Sequence, residues 1–357
     1  MDEPKRGLLV LSERENEIIH IIKRNKSCTS GDVVAALPDT LSVSLPTVKR
    51  SLAKMVSENL LTVTGQGRST RYEISPAYEL LRPIDADQYY EKEIDEREIR
   101  TFFNWELVRS VLGGLQIFSE PENLQLNRLQ EIYLSNIATL SRSSYRKELE
   151  RLAIDLSWKS SQIEGNTYSL LETERLLKEK ETASGKTKDE AIMLLNHKEA
   201  IDFIVDHRDY LNPLSVSGIE DIHRILVKDL DVDKNLRTRR VGISGTNYQP
   251  LDNEFQIREA AALLCDLVNE KADVFEKAFL ALILISYIQP FMDGNKRTAR
   301  IVSNALLMGN GYCPISFRTV DSGDYKKAML LFYEQNNISN FKEIFIDQFE
   351  FAVSSYF

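Results

Sequence analysis

The sequence predicts a mainly α protein in two units, a compact front unit and a much longer helical one behind it. Three observations carry this. From Phe102 onward, apolar residues recur at helical spacing with few breaks. Only two short stretches near the front alternate like strands, Leu60–Thr64 and Thr70–Ile74, with Gly65-Gln66-Gly67 as the turn between them. At 357 residues and 43% hydrophobic, the chain is long enough for more than one core and unlike a disordered sequence.

Composition narrows the function classes. A net charge of -9 excludes a surface built as a whole to coat nucleic acid, so any DNA contact must come from a local patch. Cys28, Cys265 and Cys313 are few, odd in number and far apart, which argues for buried thiols in a reducing compartment rather than a disulfide framework. The opening MDEPKRG lacks the pattern of a signal peptide. The longest apolar run, Ala278–Ile288, falls short of the roughly 18 residues of a membrane span. A soluble, cytoplasmic protein without membrane contact is expected.

Residues 1–80 form the front unit. Ser12 with Glu15 is a capping box for a helix to Lys26, buried through Ile18, Ile19, Ile21 and Ile22. Thr29 or Ser30 starts a shorter helix that Pro38 stops, and Ser44 caps a third with Pro46 in its first turn. Three helices and a two-stranded ribbon resemble a winged helix-turn-helix domain. On that resemblance Lys49, Arg50 and Lys54 of the third helix, and Arg68 and Arg71 of the wing, are the candidate phosphate contacts on DNA. Acidic and basic residues nearly balance here, so a protein-binding winged helix fits the same composition.

Residues 81–100 read as a charged linker entering a solvated helix. Behind it, residues 101–357 predict helices near 104–118, 122–140 and 143–162, then 170–180, 189–210 and a helix capped by Ser217 with Glu220. His197, His207 and His223 lack metal-ligand spacing and read as core or surface residues. The segment from Lys234 to Tyr248 is basic and then strand-like, with Gly242 and Gly245 placed for a hairpin. Two helices, 257–273 and 274–288, lead to the sequence QPFMDGNKRTAR, and Asp321–Asn336 and Phe341–Phe351 close the chain.

That sequence, Gln289 to Arg300, is a turn between two apolar helices. Pro290 ends the first, Gly294 permits a backbone that a side chain disfavours, and the turn opens onto a helix N-terminus suited to an anion. Lys296, Arg297 and Arg300 add positive charge, and Asp293 is an oxygen ligand of the kind that holds Mg2+ carried by phosphates. A solvated, charged helix cap has the same composition.

The turn resembles the Fic motif, His-Pro-Phe-x-Asp/Glu-Gly-Asn-Gly-Arg-x-x-Arg. Pro290, Phe291, Asp293, Gly294, Asn295, Arg297 and Arg300 match it. Gln289 stands where the family has its catalytic histidine, and Lys296 where it has the second glycine, the latter similar to the Doc branch. Ser160, Glu164 and Gly165 fit the Ser/Thr-x-x-x-Glu-Gly/Asn inhibitory motif of Fic proteins, and VGISGTNYQP at 241–250 looks like the Fic flap. The resemblance covers residues 100–357 and implies a Fic-type helical bundle with a small β-hairpin flap behind the winged helix.

It also implies roles. Gly294, Asn295, Lys296, Arg297 and Arg300 would bind the phosphates of ATP with Mg2+ at Asp293, and Tyr325 would meet the base. Glu164 with Ser160 would pair with Arg300 and block the terminal phosphate. Val241, Ile243, Gly245, Thr246 and Tyr248 would align a hydroxyl-bearing protein segment, of a target or of the chain itself, and the protein would pair as a homodimer. The implied activity is AMP transfer from ATP to a hydroxyl, slowed because the Gln289 amide accepts no proton near neutral pH. A nucleotide-binding DNA regulator without catalysis and a Doc-like phosphate transfer through Lys296 are the alternatives.

Overall fold

The computed structural model describes residues 11–357; the opening segment read for a signal peptide lies outside them. Helix α1 (Glu13–Asn25) carries the expected capping box, with the Ser12 hydroxyl accepting from Glu15 N and the Glu15 carboxylate accepting from Ser12 N. It buries Ile18, Ile19, Ile21 and Ile22 against α2 (Ser30–Ala36) and the sheet, and α3 (Leu45–Ser57) packs on α2. Strands β2 (Leu61–Thr64) and β3 (Arg71–Ile74) pair antiparallel, with Leu61 opposite Ile74. A two-residue strand, β1 (Ser27–Cys28), joins the other edge of β3 and makes a three-stranded sheet, order β1-β3-β2. Only two residues long, β1 has no alternation for a sequence to show.

The segment expected as a solvated helix is a strap. Helices α4 (Tyr78–Leu81) and α5 (Ala86–Tyr90) are each about one turn long, and the chain after them crosses the second unit through a single 3-10 turn at Ile94–Glu96. Its polar groups are taken up one by one. Tyr89 donates to the Glu334 carboxylate at 2.7 Å, Arg97 pairs with the same carboxylate at 3.0 Å, and Arg100 N donates to Glu334 O. Hydrogen bonds to a buried carboxylate replace the i,i+4 pairs that would have kept this charge run helical. The helix expected at 104–118 shrinks to a π-turn at Leu107–Val111, ahead of Gly113-Gly114.

The bundle follows as α6 (Glu120–Thr139), α7 (Arg142–Ile163), α8 (Leu170–Glu179), α9 (Lys188–Asp206), α10 (Val216–Leu226), α11 (Glu254–Glu270), α12 (Val274–Ile288), α13 (Asn295–Gly309), α14 (Ser322–Gln335) and α15 (Ser339–Tyr356). At its centre, α12 is buried on all faces after Lys277 because α11, α13 and α14 pack around it. A helix apolar all round requires that surrounding. No described helix is long and apolar enough to cross a membrane. The cap of α10 is Ser215, not Ser217: Ser215 Oγ accepts from Gly218 N and also meets the Ser217 hydroxyl.

The expected β-hairpin at 241–248 does not form; the segment is an irregular loop. Its backbone is claimed from outside. Gly245 O accepts from Arg97 of the strap, and Gln249 N donates to Thr101 O, forming a single parallel bridge with Phe102. Tyr248 is drawn into the core, its hydroxyl donating to Tyr287 O and its ring stacked on Tyr287.

Candidate active site

The turn after α12 is built on one left-handed residue, one glycine and one asparagine. Gln289 closes α12 at φ +52, and Gly294 precedes α13 at φ +79, a left-handed backbone that favours glycine. The Asn295 amide staples the loop between them: its Nδ2 donates to Gln289 Oε1 at 3.0 Å and to Phe291 O at 2.8 Å, and its Oδ1 accepts from Phe291 N. From outside, buried Arg237 donates through Nε to Gln289 O at 2.6 Å, and Arg237 N donates to Pro290 O. The His223 ring lies flat on Phe291 at 3.7 Å between centroids, with Nε2 bonded to Asp293 O. Burial pushes His223 down to about 4, against the opposing pull of the Asp293 and Lys234 carbonyls that its two ring nitrogens meet.

Three cations act on Glu164, and of these Lys296 lines the cavity over the turn while Arg297 and Arg300 are buried behind it. Arg297 bonds Asp293 at 3.0 Å through one nitrogen, while its Nε and Nη1 are buried without partners. Arg300, fully buried, donates to Ser160 Oγ at 2.8 Å, to Ser160 O at 3.0 Å and to Glu164 Oε1 at 2.8 Å, leaving Nη1 unpartnered. Lys296 lies 3.6 Å from the other Glu164 oxygen. Burial raises the Glu164 carboxyl, but Arg300, Lys296 and Arg297 together outweigh it and hold the group below its ordinary value. Glu164 is therefore an anion, fixed at the C-terminal end of α7.

A cavity of about 320 Å³ opens over the turn, lined among others by Glu164, Ile243, Gln289, Lys296 and Tyr333. Unpaired guanidinium nitrogens beside a helix N-terminus fit a polyphosphate, since buried donors left unmatched are costly. For Mg2+ the fit is narrower: Asp293 is the one carboxylate on the turn, and among the described residues no cluster of three ligand side chains forms.

The structure thus brings together Gln289, Gly294, Asn295, Lys296, Arg297, Arg300, Ser160 and Glu164. Of the loop residues, Ile243 lines the cavity, whereas Gly245, Thr246 and Tyr248 turn toward α14 and the core and Val241 sits half-buried outside the lining. Tyr325 lines the cavity and is otherwise wholly buried under Arg300, 5.2 Å from ring centroid to guanidinium. Gln289 is fully engaged, donating to Ser286 O at 2.7 Å while accepting from Asn295. In the front unit Lys49, Arg50 and Arg71 are exposed, Lys54 is drawn onto Glu15 at 3.1 Å, and the Arg68 side chain lies outside the described part.

Sequence reasoning missed His197. It is fully buried, and its Nε2 meets Ser160 Oγ at 2.7 Å, so it backs the serine that holds Arg300. It missed Arg237, Arg97 and Glu334 as well. A lone charge in an apolar stretch such as Glu334 was the available signal.

Residues 213–307 match the Fic/DOC family, and residues 11–96 match the penicillinase repressor family. The protein adenylyltransferase fic-1 of Caenorhabditis briggsae is 25% identical over 177 residues, which is 47% of this chain and 34% of that protein. The protein adenylyltransferase Fic of Nematostella vectensis is 29% identical over 189 residues, 52% of this chain and 43% of that protein. The chain thus spans less than half the length of these relatives. Among solved structures, a fragment of Fic-1 from C. elegans superposes with a TM-score of 0.57 at 20% identity, covering 66% of this chain and 72% of the fragment. A Fic family protein from Desulfovibrio desulfuricans gives 0.56 at 18% identity, covering 67% and 74%. Helical bundle, motif-bearing turn and front sheet agree with both matches: the chain carries a Fic/DOC domain behind a winged helix of the penicillinase-repressor kind.

Proposed function

We propose that the chain binds ATP in the cavity over the Gln289–Arg300 turn and transfers AMP slowly to a protein hydroxyl, with Glu164 as an internal block. The observation that carries this is the pair of buried guanidiniums, Arg297 and Arg300, with three unpartnered nitrogens beside a helix N-terminus. Glu164 already occupies one arm of Arg300, and a terminal phosphate brought there meets a carboxylate of like charge. Asp293 would contribute an oxygen to a divalent ion that offsets phosphate charge.

In the transfer, a hydroxyl oxygen attacks the α-phosphorus, the bond to pyrophosphate breaks, and the hydroxyl proton must leave. Gln289 stands at the position for that proton, but its amide accepts none, and loss of a positioned base costs about a hundredfold to ten-thousandfold. Phosphate binding rests on other groups and survives better than turnover. The loop at 241–248 lies at the cavity rim, where it can hold the target segment. The curated relatives are named adenylyltransferases, which favours AMP over phosphate as the group transferred.

The engaged Gln289 amide also favours a second reading, a non-catalytic ATP-binding regulator with the winged helix as output on DNA. Incubation with ATP labelled on the α- or γ-phosphate separates the readings. Weak α-label on protein, rising with Glu164→Gly and again with added Gln289→His, is expected. Label from the γ-phosphate alone assigns Doc-like transfer. ATP binding without any label in the double variant leaves the regulator.

A further inference from the structure

A second cavity, of about 350 Å³, lies at the start of α7 and the end of α13, the ends opposite Glu164 and the nucleotide turn. Its wall holds Tyr133, Tyr145 and Tyr312, with Met308 among them and Arg142 and Arg208 at the mouth. The Tyr133 and Tyr145 hydroxyls are bonded to each other at 3.1 Å, and Arg208 reaches the Tyr145 hydroxyl at 3.5 Å. In a chain of net charge -9, neither arginine has a carboxylate within ion-pair distance among the described residues. Two unneutralised guanidiniums over an aromatic and thioether wall suit a planar ring that bears an anion, because the ring stacks while the charge is met at the rim. The volume falls at the small end of the range for ligand pockets.

We propose that this cavity is a second ligand site, for a small molecule with one aromatic ring and one anionic group. It is remote from the nucleotide turn yet built on the same two helices. Helix α7 presents Arg142 and Tyr145 here and ends at Glu164, after 22 residues or roughly 33 Å. Helix α13 starts at the nucleotide turn and delivers Met308 here. Gly309 is packed so closely on Arg208 O that an added Cβ would lie 2.6 Å from it, which fixes the arginine's backbone against the end of α13.

Aromatic carboxylates and pyrimidine mononucleotides share this chemistry. Calorimetric titration of the full chain with phenylpyruvate and with thymidine monophosphate tells them apart, with benzyl alcohol as the neutral ring. Saturable binding of at least one anion is expected, at least about tenfold tighter than benzyl alcohol and weakened about tenfold by Arg208→Glu or Arg142→Glu. Lys296→Ala is expected to leave it unchanged. Both arginines are exposed, so the variants keep the fold, which circular dichroism checks. Absence of saturable binding by either anion at millimolar concentration, equal affinity for benzyl alcohol, insensitivity to both arginine changes, or loss with Lys296→Ala would overturn the site. The arginine variants touch no residue of the nucleotide reading, whereas the Lys296→Ala arm reports ligand bound at the nucleotide turn instead of here.

Discussion

Arg300 has no exposed surface and one full counter-charge, Glu164, whose removal leaves it with Ser160 and the Tyr325 ring. Breaking such a pair strands a buried cation, so Glu164→Gly is expected to lower stability by about 2 kcal/mol or more in the absence of ligand. The same change frees a guanidinium arm, and ATP is expected to bind at least about tenfold tighter and to restore the lost melting temperature. Differential scanning fluorimetry with and without ATP reads both effects; equal melting of the two proteins at saturating ATP concentrations and at none would sink the pairing argument. His197 adds a pH dependence. Burial, with Arg300 and Arg297 nearby, pushes it well below its ordinary 6.5, so the folded chain keeps this ring neutral where the unfolded chain is protonated. The unfolded state then binds more protons, and stability falls as pH drops below about 6.5. Urea midpoints between pH 7.5 and 5 should show that slope, reduced in His197→Gln.

At the scale of elements, the Glu334 carboxylate gathers the strap and the loop at 241–248 to the end of α14. Arg97 lies across it, bonded to the carboxylate and to Gly245 O. Both side chains of the pair are almost fully buried, so Glu334→Ala is expected to cost about 3 kcal/mol or more in chemical denaturation. Amide exchange in the loop should accelerate with it, and unchanged exchange there would show that the loop is held by something else. This bracket explains what the sequence made legible and what it did not. Caps such as Ser12 with Glu15 are contacts three residues apart, and α12 announces itself by an unbroken apolar run; both are local. The turn was legible because its special residues, Gln289 to Arg300, are contiguous. The strap, the displaced loop and His197 depend on partners 37 to 245 residues away, and no local periodicity encodes those. The loop read as a hairpin because its glycines are right for one; a neighbouring segment took its backbone groups first.

For the whole molecule, the two units share one continuous core instead of meeting at a flexible joint. The Asn337 amide donates to Glu79 O and Arg82 O, Asn340 donates to Ile84 O, Asn59 donates to Gln116 O, and Ile338 N donates to Leu80 O. Thermal unfolding is therefore expected as one transition, and two separated transitions would contradict the shared core. If the winged helix meets DNA through Lys49, Arg50 and Arg71, log affinity should fall linearly with log salt. Lys49→Ala should then reduce that slope by about one. Salt-insensitive binding would instead mark the front unit as a protein-binding module.

The asparagine bolts at Asn337 and Asn340 have a geometrical corollary. A domain tied by its backbone cannot swivel like a bead on a string, so a duplex gripped by the third helix would inherit a fixed bearing relative to the mouth of the nucleotide cavity. Whatever surface the rim loop reaches would then be determined by where along the duplex its owner is seated, much as a jig determines where a drill lands.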